Sequence, residues 1–214
     1  MKMNFRIKAT AVVSADAKCE NLDEKRIVPK MMLRRRLTRG ARIMVYLADA
    51  CHFCEGAVVY GSAFGEMQAT ADIVGAIDSN EPISPTAFQN SVYNTAPSYF
   101  SLLHKNKSEI LTISSGDDTS RNVLQTGALQ AVTMDEEVLL VCSEAINIAN
   151  IDEVNTCTSY LESGVALTLV ATSDSTDVEV VVGEHKGYAP SLWAMLDVIK
   201  ACEGKEGAVV ALEL

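Results

Sequence analysis

The sequence predicts an α/β layered domain built on a largely parallel or mixed sheet. Three observations carry this. Short apolar runs of β period alternate with segments of helical period along most of the chain. Proline and capping residues punctuate the boundaries. No tandem repeat, low-complexity tract or linker divides the 214 residues, so residues 1–214 are expected to form one domain.

In chain order, residues 4–13 read as a strand. Residues 34–54 read as a helix whose apolar face includes Leu37, Ile43, Met44 and Leu47, and residues 57–64 form an apolar β run. Helical spacing resumes over 65–77 with Met67, Ala71, Val74 and Ile77. Two short helices follow Ser84-Pro85 and Ala96-Pro97, each proline matching the first helical position. Then come a strand at 110–114, a helix at about 118–132 and a strand at 137–144. An irregular region covers 145–163. Segments 164–172 and 178–184 are expected to pair as an antiparallel hairpin, before a helix at 191–202 and a terminal strand from Ala208.

Composition excludes several functions. The chain is 48% hydrophobic and 21% charged, and no apolar run reaches the roughly 18 residues of a membrane span. The start, MKMNFRIKATAVV, is interrupted by Arg6 and Lys8 and reads as a strand rather than a signal peptide, which makes cytoplasmic the expected location. A net charge of −10 argues against nucleic acid, because phosphate contacts need surplus Lys and Arg. The six cysteines sit in apolar segments and are expected to be mostly buried hydrophobes.

Cys51-His52-Phe53-Cys54 is a C-x-x-C, but a second ligand pair for zinc is absent, and His104 and His185 stand alone. A thioredoxin-like pair opens a helix, where the dipole lowers the thiol pKa; this one closes a helix. No metal and no cofactor is expected. Arg34, Arg35, Arg36, Arg39 and Arg42 concentrate positive charge, with Arg35, Arg39 and Arg42 on one helix face at i, i+4, i+7. They are either a solvated, locally salt-bridged face or a docking patch for an acidic partner.

The segment TISSGDDTSRNVL runs a strand through Ser114-Ser115-Gly116 into a helix that opens with Asp117-Asp118. Such elbows aim helix N–H groups and the positive dipole end at an anion or a nucleophile. The two carboxylates read as an N-cap and dipole complement, or as general acid/base groups. No G-x-S-x-G, phosphate-binding Gly-rich loop or H-E-x-x-H accompanies them.

RRRLTR, VVYGSAFGE, SPTAFQNSVYNTAPSYFSL and ISSGDDTSRNVLQTGAL together resemble the N-terminal half of β-ketoacyl-acyl-carrier-protein synthases over most of residues 30–145. The resemblance is closer to the short stand-alone β-ketoacyl synthase N-terminal-like proteins that accompany aryl polyene and related pigment clusters. It implies a half-length, thiolase-like βαβαβαββ unit with a mixed sheet, extended by a hairpin, a helix and a strand.

Counted without gaps from Ser84-Pro85 and Asn94, the family's nucleophilic cysteine position falls on Asp117. A carboxylate is a poor acyl acceptor and would form a labile anhydride. The family's decarboxylating histidines lie in a C-terminal half beyond Leu214. The resemblance therefore implies a non-catalytic, chain-length-factor-like subunit, with no catalytic residue of its own. It would pair with a full-length ketosynthase, or with itself, through Leu111, Thr112, Ile113, Ser114 and Ser115. It would shape the partner's acyl tunnel with Ala87, Phe88, Val92, Tyr93, Asn94, Tyr99 and Phe100, although these aromatics also fit a simple core role. Acyl carrier protein would dock at Arg35, Arg39 and Arg42. The alternatives are an acyl-thioester transferase or hydrolase using Asp117 and Asp118, and a homodimeric module that binds acyl chains or carrier protein.

Overall fold

A computed structural model describes residues 1–146 and 161–213, and one six-stranded mixed sheet organises them. The elements are β1 (Lys2–Ala15), α1 (Glu24–Ile27), α2 (Met31–Arg34), α3 (Arg39–Ala50), β2 (Ala57–Gly61), α4 (Met67–Asp78), α5 (Pro85–Asn90) and α6 (Thr95–His104). They continue with β3 (Ile110–Ile113), a 3-10 turn (Gly116–Asp118), α7 (Thr119–Met134), β4 (Val138–Ala145) and β5 (Glu162–Ala171). A second 3-10 turn (Pro190–Leu192), α8 (Trp193–Ala201) and β6 (Val209–Glu213) complete the order.

The strand order is β3-β2-β4-β5-β1-β6. β2 runs parallel to both β3 and β4, whereas the β4–β5, β5–β1 and β1–β6 pairs are antiparallel. Side chains on a strand alternate between faces, and both faces are covered. Val59, Leu140, Leu167 and Leu169 pack with Val123, Ala128, Met195 and Val198 of α7 and α8. Val58, Tyr60, Leu139 and Val141 pack with Ile43, Met44, Leu47 and Phe100 of α3 and α6. Gly127 lets α7 lie directly on β4, because a Cβ there would come within 2.0 Å of Leu140.

Four local expectations need correction. The hairpin partner at 178–184 is not a strand of this sheet. β4 and the long N-terminal β1 occupy both edges of β5, so no edge is left for its neighbour in sequence. Val181 and Val182 are instead 71% and 81% exposed.

The helix over 34–54 is shorter at both ends, since Thr38 caps α3 by accepting from Ala41 N at 3.1 Å. Helix α6 starts at Thr95, so Pro97 is its third residue, a place where its missing N–H still breaks no intrahelical bond. In α4 the packed residue is Ala69, while Val74 and Ile77 are 59% and 62% exposed, because this helix lies outside the sheet layers.

The irregular region expected at 145–163 falls mostly outside the described residues, and its two ends belong to β4 and β5. Cys157 also lies outside them. Cys19, Cys51, Cys142 and Cys202 are buried and Cys54 is exposed, all as free thiols. No helix among the described residues is long and apolar enough to cross a membrane.

Candidate functional site

β3, at the edge of the sheet, leads into the elbow. Ser115 N donates to Thr119 Oγ1 at 3.0 Å, and that hydroxyl donates to Gly116 O at 2.6 Å, so buried Thr119 locks the turn. Gly116 takes φ of +55°, a left-handed conformation that glycine adopts at little cost. Asp117 and Asp118 point outward and both are exposed. Asp118 occupies the N-cap position of α7 but makes no side-chain cap bond; it pairs instead with Arg121 at 3.3 Å. Of the two bland roles foreseen for these carboxylates, the cap bond is therefore absent, and position alone lets them complement the dipole.

A groove of about 490 Å³ opens beside the elbow, between the start of α7, α8 and the segment around Val180–Gly183. His185 is not alone there. Its Nε2 lies 2.7 Å from Oδ1 of Asp197, which also accepts from Gly183 N at 3.1 Å. Nothing in the residue pattern announces this pair, since its partners lie on an extended segment and on α8. His104, on the other face, packs on Phe100 with ring centroids 4.8 Å apart, and burial lowers its pKa. Among the described residues no group of three or more His, Cys, Asp or Glu could hold a metal.

At the carboxyl end of β4, Glu144 is fully buried. It accepts from Ser62 Oγ at 2.8 Å, Ser191 Oγ at 2.7 Å, Ala63 N at 2.7 Å and Phe64 N at 3.2 Å. It thus ties the loop after β2 to the turn before α8. Burial raises its pKa, and the four hydrogen bonds oppose the rise.

A second cleft, of about 570 Å³, lies between the start of α3, α4 and α5 and borders Ala87, Ala145 and Glu162. Its wall carries Glu66, which is 8% exposed and accepts from Thr38 Oγ1 at 2.7 Å. Burial pushes the Glu66 carboxyl up to about 7, against the hydrogen bond from Thr38. Neither Glu66 nor Glu144 is legible from sequence spacing as a site residue.

The residues expected to face a partner separate into two groups. Phe88, Val92 and Tyr93 are 68%, 48% and 43% exposed, Asn94 is exposed at the start of α6, and Ala87 is half-buried. Tyr99 and Phe100 are buried, with Phe100 at 0% stacked near Phe53 in the core. Leu111, Thr112 and Ile113 are half-buried on the edge strand, and Ser114 and Ser115 are exposed just beyond it.

The arginines are largely committed. Arg39 Nε donates to Glu162 Oε1 at 2.7 Å, and Glu162 is 1% exposed; Arg42 pairs with Glu24 at 2.5 Å. Arg35 remains exposed.

No curated protein matches the sequence. Among solved structures, a ketosynthase (ApeO) in complex with its chain length factor (ApeC) from Xenorhabdus doucetiae matches with a TM-score of 0.67 and 20% identity, over 90% of this chain and 92% of the other. The ishigamide ketosynthase/chain length factor matches at 0.66 and 14%, over 81% of this chain and 63% of that one. A type II polyketide acyl-carrier protein in complex with its hexaketide-bound ketosynthase matches at 0.61 and 13%, over 79% and 62%. The model of the β-ketoacyl synthase N-terminal domain matches residues 11–206, which run from within β1 through the elbow to just before β6. The chain therefore belongs to the β-ketoacyl synthase N-terminal domain family and has its thiolase-like α/β fold.

Proposed function

We propose that this chain is a non-catalytic ketosynthase-like subunit that pairs with an active ketosynthase and shapes the tunnel receiving the growing acyl chain. One observation carries the reading. The count from Ser84-Pro85 and Asn94 assigns the family's nucleophilic cysteine position to Asp117, and Asp117 stands exposed to solvent at the strand-to-helix elbow. A carboxylate there has no thiolate to take up an acyl group.

Two surfaces support the pairing. β3 is a sheet edge, and an edge strand offers unpaired N–H and C=O groups to another chain. Close to it in sequence, Phe88, Val92 and Tyr93 hold exposed apolar surface that a partner would cover. The similarity to chains in ketosynthase/chain length factor complexes points the same way. Of Arg35, Arg39 and Arg42, Arg35 is the exposed one that could meet an acidic carrier protein, with Arg39 and Arg42 held by Glu162 and Glu24.

The test is co-expression with a ketosynthase that keeps its cysteine and histidines. A mixed dimer should elute at the summed mass and elongate a carrier-bound acyl group. Asp117→Ala with Asp118→Ala should leave that elongation intact. Loss of turnover in the double variant with the dimer still formed would favour the acyltransferase or hydrolase reading. Absence of any mixed dimer would refute the pairing.

A further inference from the structure

We propose that the cleft between α3, α4 and α5 holds the far end of an acyl chain, and that Glu66 with Thr38 selects chains ending in a hydroxyl over chains ending in a methyl group. The acyl nature of the ligand rests on the function proposed above; the choice of its end rests on the cleft itself.

The cleft lies at the carboxyl end of β4, beside the start of antiparallel β5, the side on which open α/β sheets bind ligands. Its walls include Leu37, Ala69, Ala76, Pro82 and Ala87, which suit a hydrocarbon. Against them stand two buried carboxyls, and whereas Glu162 is paired with Arg39, Glu66 has no cation beside it among the described residues. Glu66 Oε1 accepts from Thr38 Oγ1, and that hydroxyl is itself occupied in accepting from Ala41 N. Glu66 Oε2 has no hydrogen-bond partner among the described residues. Gly40 makes room for the carboxyl on the first turn of α3, since a Cβ there would come within 3.0 Å of Oε1.

The surrounding charges narrow the ligand further. Lys18, Arg39 and Arg42 border the cleft and disfavour a cationic end, whereas Glu66, Asp72 and Glu162 disfavour an anionic one. The arginines are engaged with Glu162 and Glu24, so none of them satisfies Glu66. A neutral hydroxyl supplies the missing donor. A methyl end would strip water from the carboxyl and return nothing. A carboxyl raised to about 7 can also donate to that hydroxyl near neutral pH.

The experiment measures binding to the full chain alone by calorimetry at pH 7. The probes are dodecanoyl and ω-hydroxydodecanoyl thioesters of N-acetylcysteamine. The hydroxylated probe should bind at least about tenfold more tightly. Glu66→Gln should keep the preference, because an amide still pairs with a hydroxyl, and Glu66→Leu should abolish or invert it. Ala87→Trp should block both probes by filling the cleft. Equal affinity for the two probes, binding of neither, or an unchanged preference in Glu66→Leu would each overturn the proposal. Binding is read without a partner, so a failed mixed dimer with the preference retained refutes the pairing alone. A mixed dimer without the preference refutes the cleft alone.

Discussion

Replacing Glu66 by Gln should convert a pH-dependent stability into a flat one at this position. The carboxyl is 8% exposed, and burial pushes its pKa from the ordinary 4.5 up to about 7. Across that interval the folded chain holds a proton that the unfolded chain has released. The folded state therefore binds more protons, and stability falls as pH rises. The contribution is complete below pH 4.5 and lost as pH climbs through about 7. At 1.36 kcal/mol per pH unit the interval amounts to roughly 3 kcal/mol.

Gln keeps an acceptor for Thr38 and carries no charge at any pH. The variant should match the parent near pH 4 and exceed it by roughly 3 kcal/mol at pH 8. All other carboxylates cancel in the difference between the two proteins. Urea unfolding followed by the fluorescence of Trp193, the single tryptophan, reads this difference at a series of pH values. A difference that stays constant between pH 4 and pH 8 would refute the reasoning, since Glu66 would then titrate alike in the folded and unfolded chains.

Two further substitutions probe the frame around the clefts. Arg39→Ala leaves Glu162, buried at 1% exposure, without its cation and should cost about 3–5 kcal/mol in urea unfolding. A cost below about 1 kcal/mol would mean that the pair behaves as an exposed one. Gly127→Ala places a Cβ 2.0 Å from Leu140, so overpacking of about 1–3 kcal/mol should outweigh the roughly 1 kcal/mol of added helix propensity. Shortening the neighbour as well, with Leu140→Ala, should recover part of the overpacking, and a purely additive double variant would show that the two side chains do not meet.

Much of the local structure is legible because it depends on neighbours in sequence. Ser84 before Pro85 announces α5, and its hydroxyl does accept from Ala87 N at 3.4 Å. The apolar run Ile110–Ile113 followed by Ser-Ser-Gly announces the elbow, and β3, the 3-10 turn and α7 follow in that order. Val178–Glu184 has equally good β character but forms no strand of the sheet, because the vacancy it would fill beside β5 is taken by β1 from the opposite end of the chain. Val74 and Ile77 carry a helical apolar period, yet α4 turns them outward because its one buried contact is made through Ala69.

By itself, the sequence determined the alternation of strands and helices, the strand-to-helix elbow and the carboxylate standing at its tip. All of these follow from propensity, capping and spacing within a few residues. Only the tertiary structure decided which strands are neighbours, that Phe100 belongs to the core while Phe88 faces solvent, and that Thr38 and Glu66 meet in one cleft. Those outcomes depend on which elements compete for the same sheet edge and on how much water remains around a carboxyl after packing. Both are properties of the assembled layers, and no short stretch of chain encodes them.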